Sequence, residues 1–462
     1  MRYIIVFDVE GEKEMNSELS KRELIETVPV KKAVATLAVP TIISQIVTII
    51  YNLADTFFVG QLNNPYMVAA VTVVSPWFNL LTALGNLFGI GGSSLISRLL
   101  GEKRDNEVKY VSSLSIYSGI IITFIFSLFS LLFQGPLLIV LGASSNNIQY
   151  AQSYLFWTVI LGGIPTTLAM TMAHLLRGEG KAKFASIGMM LGGILNIILD
   201  PLFIFGLGLG FSGAAIATAT SNLVSTLFFI YIFYRVKKQT TMSLNISYFN
   251  TSYLKPVLSV GIASALTTLL ANVSNMVIIS LASGYGDIPV AAYGIVKRID
   301  MFPLNSSFGL CQGIMPLVGY NYASKNYQRM KEISSFSWKV SLSIAFFFLI
   351  CFTSLASFIL PAFIENPQTS QLGAEFLRIA CLAVPFTAIN ALIIYTLQAM
   401  GKGVESAILT VCRQGLLNIP ILFIMNHFVG LYGMIWVQLV IELIVLPIVI
   451  IMYRRVLKQI KV

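Results

Sequence analysis

Charged residues are scarce in this chain of 462 residues, since only 11% are Asp, Glu, Lys or Arg, against roughly 25% in soluble domains. Hydrophobic residues make up 56% of the sequence, and the mean hydropathy is +0.80. A soluble globular domain needs a polar surface, and this composition cannot supply one. The sequence therefore excludes a soluble fold and indicates a membrane protein.

Histidine and cysteine are also rare, with two and four residues. The cysteines are widely spaced inside apolar stretches, which excludes a disulfide framework and a metal-binding pattern. The letters Gly208-x-Gly210-x-x-Gly213 match a dinucleotide fingerprint, but they join two hydrophobic stretches and follow no predicted strand. We therefore expect no cofactor and no enzymatic activity.

Apolar stretches near the membrane-spanning length of about 20 residues recur along the chain. Each predicts a helix, because only a helix satisfies its own backbone hydrogen bonds within one segment in lipid. The predicted fold is an all-α membrane protein with twelve transmembrane helices in two pseudo-symmetric six-helix lobes. The stretches cover about 34–58, 67–95, 111–134, 150–176, 184–206 and 211–234, and then 255–282, 288–320, 335–361, 373–399, 405–428 and 431–453.

The two sets of six stretches are related by an internal repeat. Asn196 matches Asn418 at an offset of 222 residues, and Pro165 matches Pro385 at 220. A near-constant offset indicates duplication of a whole half, and paired hydrophobic halves are typical of transporters with a site near the bilayer midplane. Only the first copy carries a carboxylate, Asp200, beside its asparagine.

Polarity predicts the domain boundaries. Residues 1–32 and 454–462 are predicted to be cytoplasmic tails, and residues 236–255 a cytoplasmic linker, because they form the longest polar interval inside the hydrophobic region. Residues 33–235 and 256–453 are then the N-terminal and C-terminal six-helix lobes.

Lysine and arginine are concentrated in the tails, the linker and the loops after even-numbered helices. Short loops rich in these residues stay on the cytoplasmic side, so both termini of this multi-pass cell-membrane protein are predicted to be cytoplasmic. The formal net charge of +10 thus reflects membrane topology and does not indicate nucleic-acid binding. The loops without Lys or Arg include residues 135–149, 206–212, 284–289 and 361–373.

Charges inside predicted helices need a reason, since one at a helix centre costs about 2.5–3.5 kcal/mol on insertion scales. Asp55 and Asp200 both lie in the first lobe, and Asp200 shares a helix face with Asn196. Pro201 and Pro40 are predicted hinges, because a proline frees a backbone carbonyl and bends a helix. These residues predict a polar chamber that disfavours charge and binds a proton or Na⁺. A hydrogen-bonded network that only fixes helix packing is the alternative.

The second lobe has its own acid, Glu442, in the middle of its last predicted helix and without an evident local partner. It is a candidate contact for a cationic substrate, together with Asn222, its counterpart in the repeat, and Asn275. Lys297 and Asp300 have the spacing of a helical ion pair, which would neutralise both without any function.

A set of motifs is shared with one known family of transporters. They are Pro40 with Tyr51-Asn52-Leu53-Ala54-Asp55, Gly85-Asn86-Leu87-Phe88-Gly89, Ser97-Arg98-Leu99-Leu100-Gly101, Arg177-Gly178-Glu179-Gly180, Asn196 to Pro201, Gly213 to Thr218 and Pro316-Leu317-Val318-Gly319-Tyr320-Asn321. Together they make the chain resemble the multidrug and toxic compound extrusion (MATE) family, in its bacterial multidrug branch, over nearly everything from Ala33 to Tyr453.

This resemblance implies a two-lobed antiporter that exchanges H⁺ or Na⁺ for an organic cation, and we expect a monomer in the lipid bilayer that acts on small cationic substrates. Where other branches place an acid on helix 7, this chain has Asn272 and Asn275, which argues against a sodium site in the second lobe. The ion-coupling residues carried over by position, which include the ligands of a Na⁺ ion, are Asp55, Asn196, Asp200 and Thr218, with Tyr51 lining the chamber.

Two other functions stay open. A flippase for lipid-linked precursors, from the same superfamily, would need a basic central cavity, for which Lys297, Arg298 and Arg378 are the candidates. A membrane-embedded enzyme would need a nucleophile or metal constellation on paired helices, and the sequence contains none.

Overall fold

The computed structural model describes residues 21–237, 239–364 and 366–460, so the predicted tails lie partly outside the described residues. These residues are nearly all helical, and they include no strand. The N-terminal lobe consists of α1 (Val30–Gly60), α2 (Pro65–Gly101), α3 (Asp105–Leu132), α4 (Ile148–Leu155, Phe156–Leu161 and Gly163–Gly178), α5 (Ala182–Pro201, continued by Leu202–Gly206) and α6 (Phe211–Arg235).

The C-terminal lobe has the same number of segments. They are α7 (Leu254–Ser283), α8 (Asp287–Ala323), α9 (Tyr327–Ile359), α10 (Pro367–Ala399), α11 (Gly403–Val411, Cys412–Leu416 and Asn418–Val429) and α12 (Leu431–Gln459). Short helices outside the lobes' long segments are Lys21–Glu26 and Gln134–Val140.

Eleven of the twelve segments are long and apolar enough to cross a membrane, if α4, which bends by 47° at its break, is one span. The remaining segment, α8, has 37 residues and carries charged residues that include Lys297, Arg298 and Asp300. Large apolar side chains stay exposed on the outside of the molecule, such as Phe358 and Phe428. Contact between such a surface and lipid tails costs no free energy, whereas its contact with water would be unfavourable.

Helices pack in the same pattern in both lobes. In the first lobe α1 packs on α5, and α2 on α4; in the second, α7 packs on α11, and α8 on α10. The lobes meet through α1 against α8 and α7 against α2. The repeat seen in the sequence is therefore also a repeat of helix packing, and it gives each lobe an interior of its own.

The lobes approach most closely near the helix ends that carry the two termini. A Cβ on Gly261 of α7 would lie 1.9 Å from the carbonyl oxygen of Leu87, and one on Gly91 of α2 would lie 2.3 Å from that of Val257. Only glycine allows such contact between backbones. The two lobes are thus closed against each other at this end.

The segment before α1 packs under the opposite lobe at the same end. Arg329 at the start of α9 donates hydrogen bonds to the carbonyl oxygens of Ile25 and Val28, both of which are buried. Tyr320 of α8 donates to the carboxylate of Glu26. Residues 21–29 therefore connect α1 of the first lobe to the second lobe.

The interval between α6 and α7 lies against the first lobe. Ser113 of α3 donates to the carbonyl of Asn245 at 2.9 Å, and Tyr117 donates to that of Leu244 at 2.7 Å. The buried carboxylate of Glu179, after α4, accepts from the backbone N–H of Thr241 at 2.8 Å. Hydrogen bonds thus fix this polar interval to one lobe.

Candidate ion-coupling site

A polar chamber lies inside the N-terminal lobe, between α1, α5 and α6. Asn196 Nδ2 lies 3.4 Å from Asp200 Oδ1 on its own helix and 3.4 Å from Thr218 Oγ1 on α6. Asp200 is fully buried and Asn196 nearly so. The four-residue spacing on α5 thus places the amide and the carboxylate on one buried face, as expected from the sequence.

Helix α1 brings the second carboxylate to this chamber. Asp55 and Asp200 interact electrostatically with each other and with the hydroxyl of Tyr51. Gly193 allows the approach, since a Cβ there would lie 3.2 Å from the ring of Tyr51. The structure therefore brings together, from three helices, all five residues that the motif resemblance predicts for ion coupling.

Three oxygen atoms of the chamber have no hydrogen-bond partner among the described residues: Asp55 Oδ1, Asp200 Oδ2 and Asn196 Oδ1. Buried polar atoms in proteins are nearly always partnered. A protonated carboxyl group would supply a donor, and a hard cation such as Na⁺ takes oxygen ligands of this kind. The donor set therefore fits either ion.

Tyr154 of α4 is a further chamber residue, and sequence reasoning missed it. Its buried side chain interacts electrostatically with Asp55, Asp200 and Tyr51. It lies two residues before the π-helical segment Phe156–Leu161. A tyrosine in an apolar stretch gives no warning of this position, because the packing of α4 on α6 and α5 places it.

The two predicted hinge prolines lie in different backbone settings. Pro40 lies inside the continuous helix α1. Pro201 ends the α-helical part of α5, and the π-helical segment Leu202–Gly206 follows, with Leu207 N–H bonded to the Leu202 carbonyl at 2.8 Å. Such π segments are local irregularities often found at functional sites. The hinge roles of both prolines stay predictions.

The expectation that Glu442 has no local partner is wrong. Arg413 of α11 donates to its carboxylate at 2.6 Å and 2.9 Å, Gln438 donates at 2.7 Å, and Asn390 of α10 donates at 2.6 Å. Glu442 is fully buried. Arg413 is 29 residues away on another helix, and no local spacing connects the two. A role of Glu442 in contacting substrate stays a prediction.

The two asparagines predicted with Glu442 occupy separate places. Asn222 of α6 donates to Thr166 Oγ1 at 2.9 Å, inside the first lobe. Asn275 of α7 accepts from the hydroxyl of Tyr293 at 3.4 Å. The hydrogen bonds of the described residues do not join them to Glu442 in one cluster, so any shared contact with a substrate would be made from different sides.

Amide and hydroxyl side chains also form hydrogen bonds between the two lobes. Each such bond links a helix of one lobe to a helix of the other. These contacts are Gln45 with Gln312 at 3.2 Å, Asn79 with Asn272 at 3.0 Å, and Asn86 with Thr268 at 3.3 Å.

Comparisons with known proteins agree with this architecture. The family model MatE matches residues 40–202 and 263–424, one stretch in each lobe. The chain is 35% identical over 416 residues to the multidrug export protein MepA of Staphylococcus haemolyticus (strain JCSC1435), covering 89% of this chain and 90% of that protein. It is 33% identical over 420 residues to MepA of Staphylococcus aureus (strain MRSA252), covering 90% and 92%.

Solved structures give the same result. A multidrug resistance MATE family transporter of the MOP superfamily, in an outward-facing conformation, matches with a TM-score of 0.90 and 26% identity, over 96% of this chain and 99% of that one. The predicted all-α membrane fold with twelve spans in two lobes is thereby confirmed. The chain belongs to the MatE family of multidrug and toxic compound extrusion (MATE) transporters, which are multi-pass membrane proteins and not enzymes.

Proposed function

We propose that this chain is a secondary-active multidrug efflux antiporter that exports organic cations in exchange for H⁺ or Na⁺. The observation that carries the proposal is the pair Asp55 and Asp200, each with a buried oxygen that has no hydrogen-bond partner among the described residues, in one chamber of the N-terminal lobe. The relatives named as multidrug export proteins support efflux as the direction and small molecules as the substrates.

The electrostatics of the chamber supply the coupling step. Two ionised carboxylates in an apolar surround repel each other, and the repulsion is strong because the local dielectric constant is low. A bound proton or Na⁺ removes this repulsion, so Asp55 on α1 moves closer to Asp200 on α5. An ion that binds one arrangement of these helices better than another shifts the equilibrium between them.

Helix α1 carries this movement to the other lobe. A Cβ on Gly313 of α8 would lie 2.5 Å from the Cα of Ala38, and one on Gly309 would lie 2.7 Å from that of Ile42. Backbones in such close contact do not slide independently, since packed interiors transmit strain. A shift of α1 at Asp55 would thus be transmitted to the contact between α1 and α8, where the two lobes meet.

For the cationic substrate, the proposed contacts are Glu442, Asn222 and Asn275. In this structure the carboxylate of Glu442 is buried and paired with Arg413. A cation would therefore reach it only in a state in which Arg413 releases it. The role of Glu442 requires such an exchange of partners during the transport cycle.

The proposed setting is a monomer in the cell membrane with both termini cytoplasmic. The end at which the lobes are closely packed, at Gly91 and Gly261, then faces the cytoplasm. Labelling tests this orientation: a cysteine placed at Ser145 or Gly286 should react with an impermeant thiol reagent added to intact cells, and one placed at Asn326 should not. Labelling at Asn326 would reverse the orientation.

The flippase alternative finds less support. Lys297 is paired with Asp300, and Arg378 donates to Ser357 of α9 at 2.8 Å, on an exposed surface. These cations do not form one basic cavity among the described residues, and a phosphate-bearing substrate would need one.

Transport by purified protein in vesicles tests the proposal directly. Vesicles loaded with a fluorescent organic cation are given either a proton gradient or a sodium gradient, with no other energy source. We expect one of the two gradients to drive movement of the cation, and Asp200→Asn to abolish that movement. Transport that neither gradient drives, in protein shown to be folded, would refute antiport.

A further inference from the structure

The C-terminal lobe contains a second polar cavity, between α7, α8, α10, α11 and α12. Its volume is about 30 Å³, which is room for about two water molecules. Apolar side chains form most of its wall. Its polar lining is Tyr293, Lys297, Asp300, Asn418 and Gln438.

Two of these residues stand where the N-terminal chamber has its polar ligands. Asn418 is the repeat counterpart of Asn196, and Gln438 follows Thr218 by 220 residues, within the offset of the repeat. Asn418 Oδ1, like Asn196 Oδ1, is buried without a hydrogen-bond partner in the described part of the chain. The duplication has thus preserved the uncharged half of an ion chamber in the second lobe.

The charged half is different. Instead of carboxylates from two helices, α8 supplies one carboxylate and one ammonium, with Lys297 Nζ 3.7 Å from Asp300 Oδ2. The ammonium also lies 5.9 Å from the centre of the Tyr293 ring. The side chain of Asp300 is only 12% exposed, and that of Lys297 is 36% exposed. Asp300 is thus the more buried partner, and the ammonium of Lys297 lies against it and near the Tyr293 ring.

The other titratable groups around Asp300 leave this pairing intact. Cys381 of α10 and Tyr293 of α8 both interact electrostatically with Asp300. Beyond Gln438 on α12, Glu442 is neutralised by Arg413. Asn418 of α11 adds an amide to the cavity, and Asn275 of α7 accepts a hydrogen bond from Tyr293.

We propose that the ammonium of Lys297 is a tethered cation that occupies the cation position of the C-terminal chamber, so that this lobe is held permanently in its ion-loaded form. Under the antiport function proposed above, H⁺ or Na⁺ is then exchanged in the N-terminal lobe alone. The Lys297–Asp300 ion pair thus does more than neutralise two charges on one helix, because it sets the number of ions that the transporter binds.

The proposal has a gain-of-function consequence. With Lys297→Met, Asp300 would be buried without a cation, beside the oxygens of Asn418 and Tyr293. A buried carboxylate in this position must bind a proton or a metal cation. The variant should therefore acquire a cation response that the original C-terminal lobe does not have.

The test uses purified full-length protein carrying Asp55→Asn and Asp200→Asn, which silences the N-terminal chamber. Thermal unfolding is measured in NaCl against choline chloride at equal ionic strength, and at a series of pH values. We expect Lys297→Met in this background to show a rise in Tm of about 3 °C or more with Na⁺ or with acid, as expected for a ligand that binds only the folded state. The same variant with Asp300→Asn should lose that rise.

Lys297→Arg keeps the tethered charge and should show no new response. If Lys297→Met does not fold, Lys297→Gln is measured for binding of radioactive Na⁺ and for proton uptake, with one additional ion per molecule expected. A response to Na⁺ and acid identical with and without Lys297, or one that persists in Asp300→Asn, would overturn the proposal. A cation response already present in the silenced background before Lys297 is changed would instead contradict the proposed coupling site.

Discussion

In the N-terminal lobe, Asp55 and Asp200 share a chamber with no basic partner within the described ranges, whereas in the C-terminal lobe Asp300 pairs with Lys297, and Glu442 with Arg413. Both lobes have the same helix packing and equivalent asparagines. They differ in whether each buried acid has a cation supplied by the protein itself.

Under the proposed antiport function, that difference would separate an exchangeable site from a fixed one. A buried acid without a partner makes ion binding favourable, and its occupancy then follows the ion gradient. A buried acid that already has an internal cation gains little from an added H⁺ or Na⁺ while that pair is intact. Duplication of one six-helix unit has thus given two chambers with an equivalent asparagine, and we propose that the charges in them have divided the roles.

The largest expected effect comes from making the unpaired chamber neutral. Asp200→Asn mimics a permanently protonated residue, so it should reach the membrane and bind substrate but lose gradient-driven efflux entirely; Asp55→Asn should be similar or partial. Efflux from vesicles, with protein abundance measured in parallel, checks this. Glu102→Gln, a loop acid paired with Arg104 at 2.8 Å, is the control and should transport normally. Normal efflux by Asp200→Asn would remove the distinction between the lobes.

Breaking a fixed pair should act on stability first. Glu442→Gln leaves the guanidinium of Arg413 buried and uncompensated, which should cost about 3–5 kcal/mol in the free energy of unfolding. Adding Arg413→Gln should recover much of that loss, because both buried charges are then gone. Thermal unfolding of the three proteins in detergent measures the difference.

The double variant also tests the substrate role of Glu442. We expect it to fold, to keep proton or sodium binding, and to transport cations more weakly. Loss of ion binding in the double variant would mean that the proposed location of the coupling site, in the N-terminal lobe, is wrong. A Glu442→Gln variant as stable as the original protein would contradict a stabilising role for the pair of Glu442 and Arg413.

A smaller effect is expected at the seam that joins the lobes. In Gly261→Ala the new Cβ would collide with the Leu87 carbonyl, so α2 and α7 must separate and the closed state should become less populated. We expect efflux to fall several-fold and accessibility at the closed end to increase, as measured by cysteine labelling there. Gly294→Ala on α8 is the matched control, because a Cβ at Gly294 would meet nothing within 4 Å. Equal behaviour of the two variants would mean that the seam does not depend on backbone contact.

The smallest effect should come from the segment before α1. Arg329→Gln removes charged donors from the carbonyls of Ile25 and Val28, at a cost of about 2 kcal/mol for opening this segment. Faster hydrogen exchange confined to residues 21–29 is the expected result. Lys331→Gln, on the same turn of α9, should leave exchange unchanged. If exchange rises along all of α9 as well, the arginine stabilises the helix and does not hold the segment.

The sequence by itself determined that this is a duplicated, twelve-helix membrane protein, because hydropathy, the placement of Lys and Arg and the repeat are properties of residue order alone. It also placed Asn196 and Asp200 on one face, since helical geometry relates residues four apart. Motif resemblance then assembled Tyr51, Asp55 and Thr218 around them, and the structure brings these five together.

Helical spacing predicts the Lys297–Asp300 pair, but only the tertiary structure decided the partners of the other buried charges. Tyr154 enters the chamber, and Arg413 reaches Glu442, through contacts between separate helices. The correspondence of Asn418 and Gln438 with the N-terminal ligands became meaningful only when the cavity beside Asp300 was found. The physical reason is that the stability of a buried charge depends on what surrounds it in space, and residues far apart along the chain supply those surroundings.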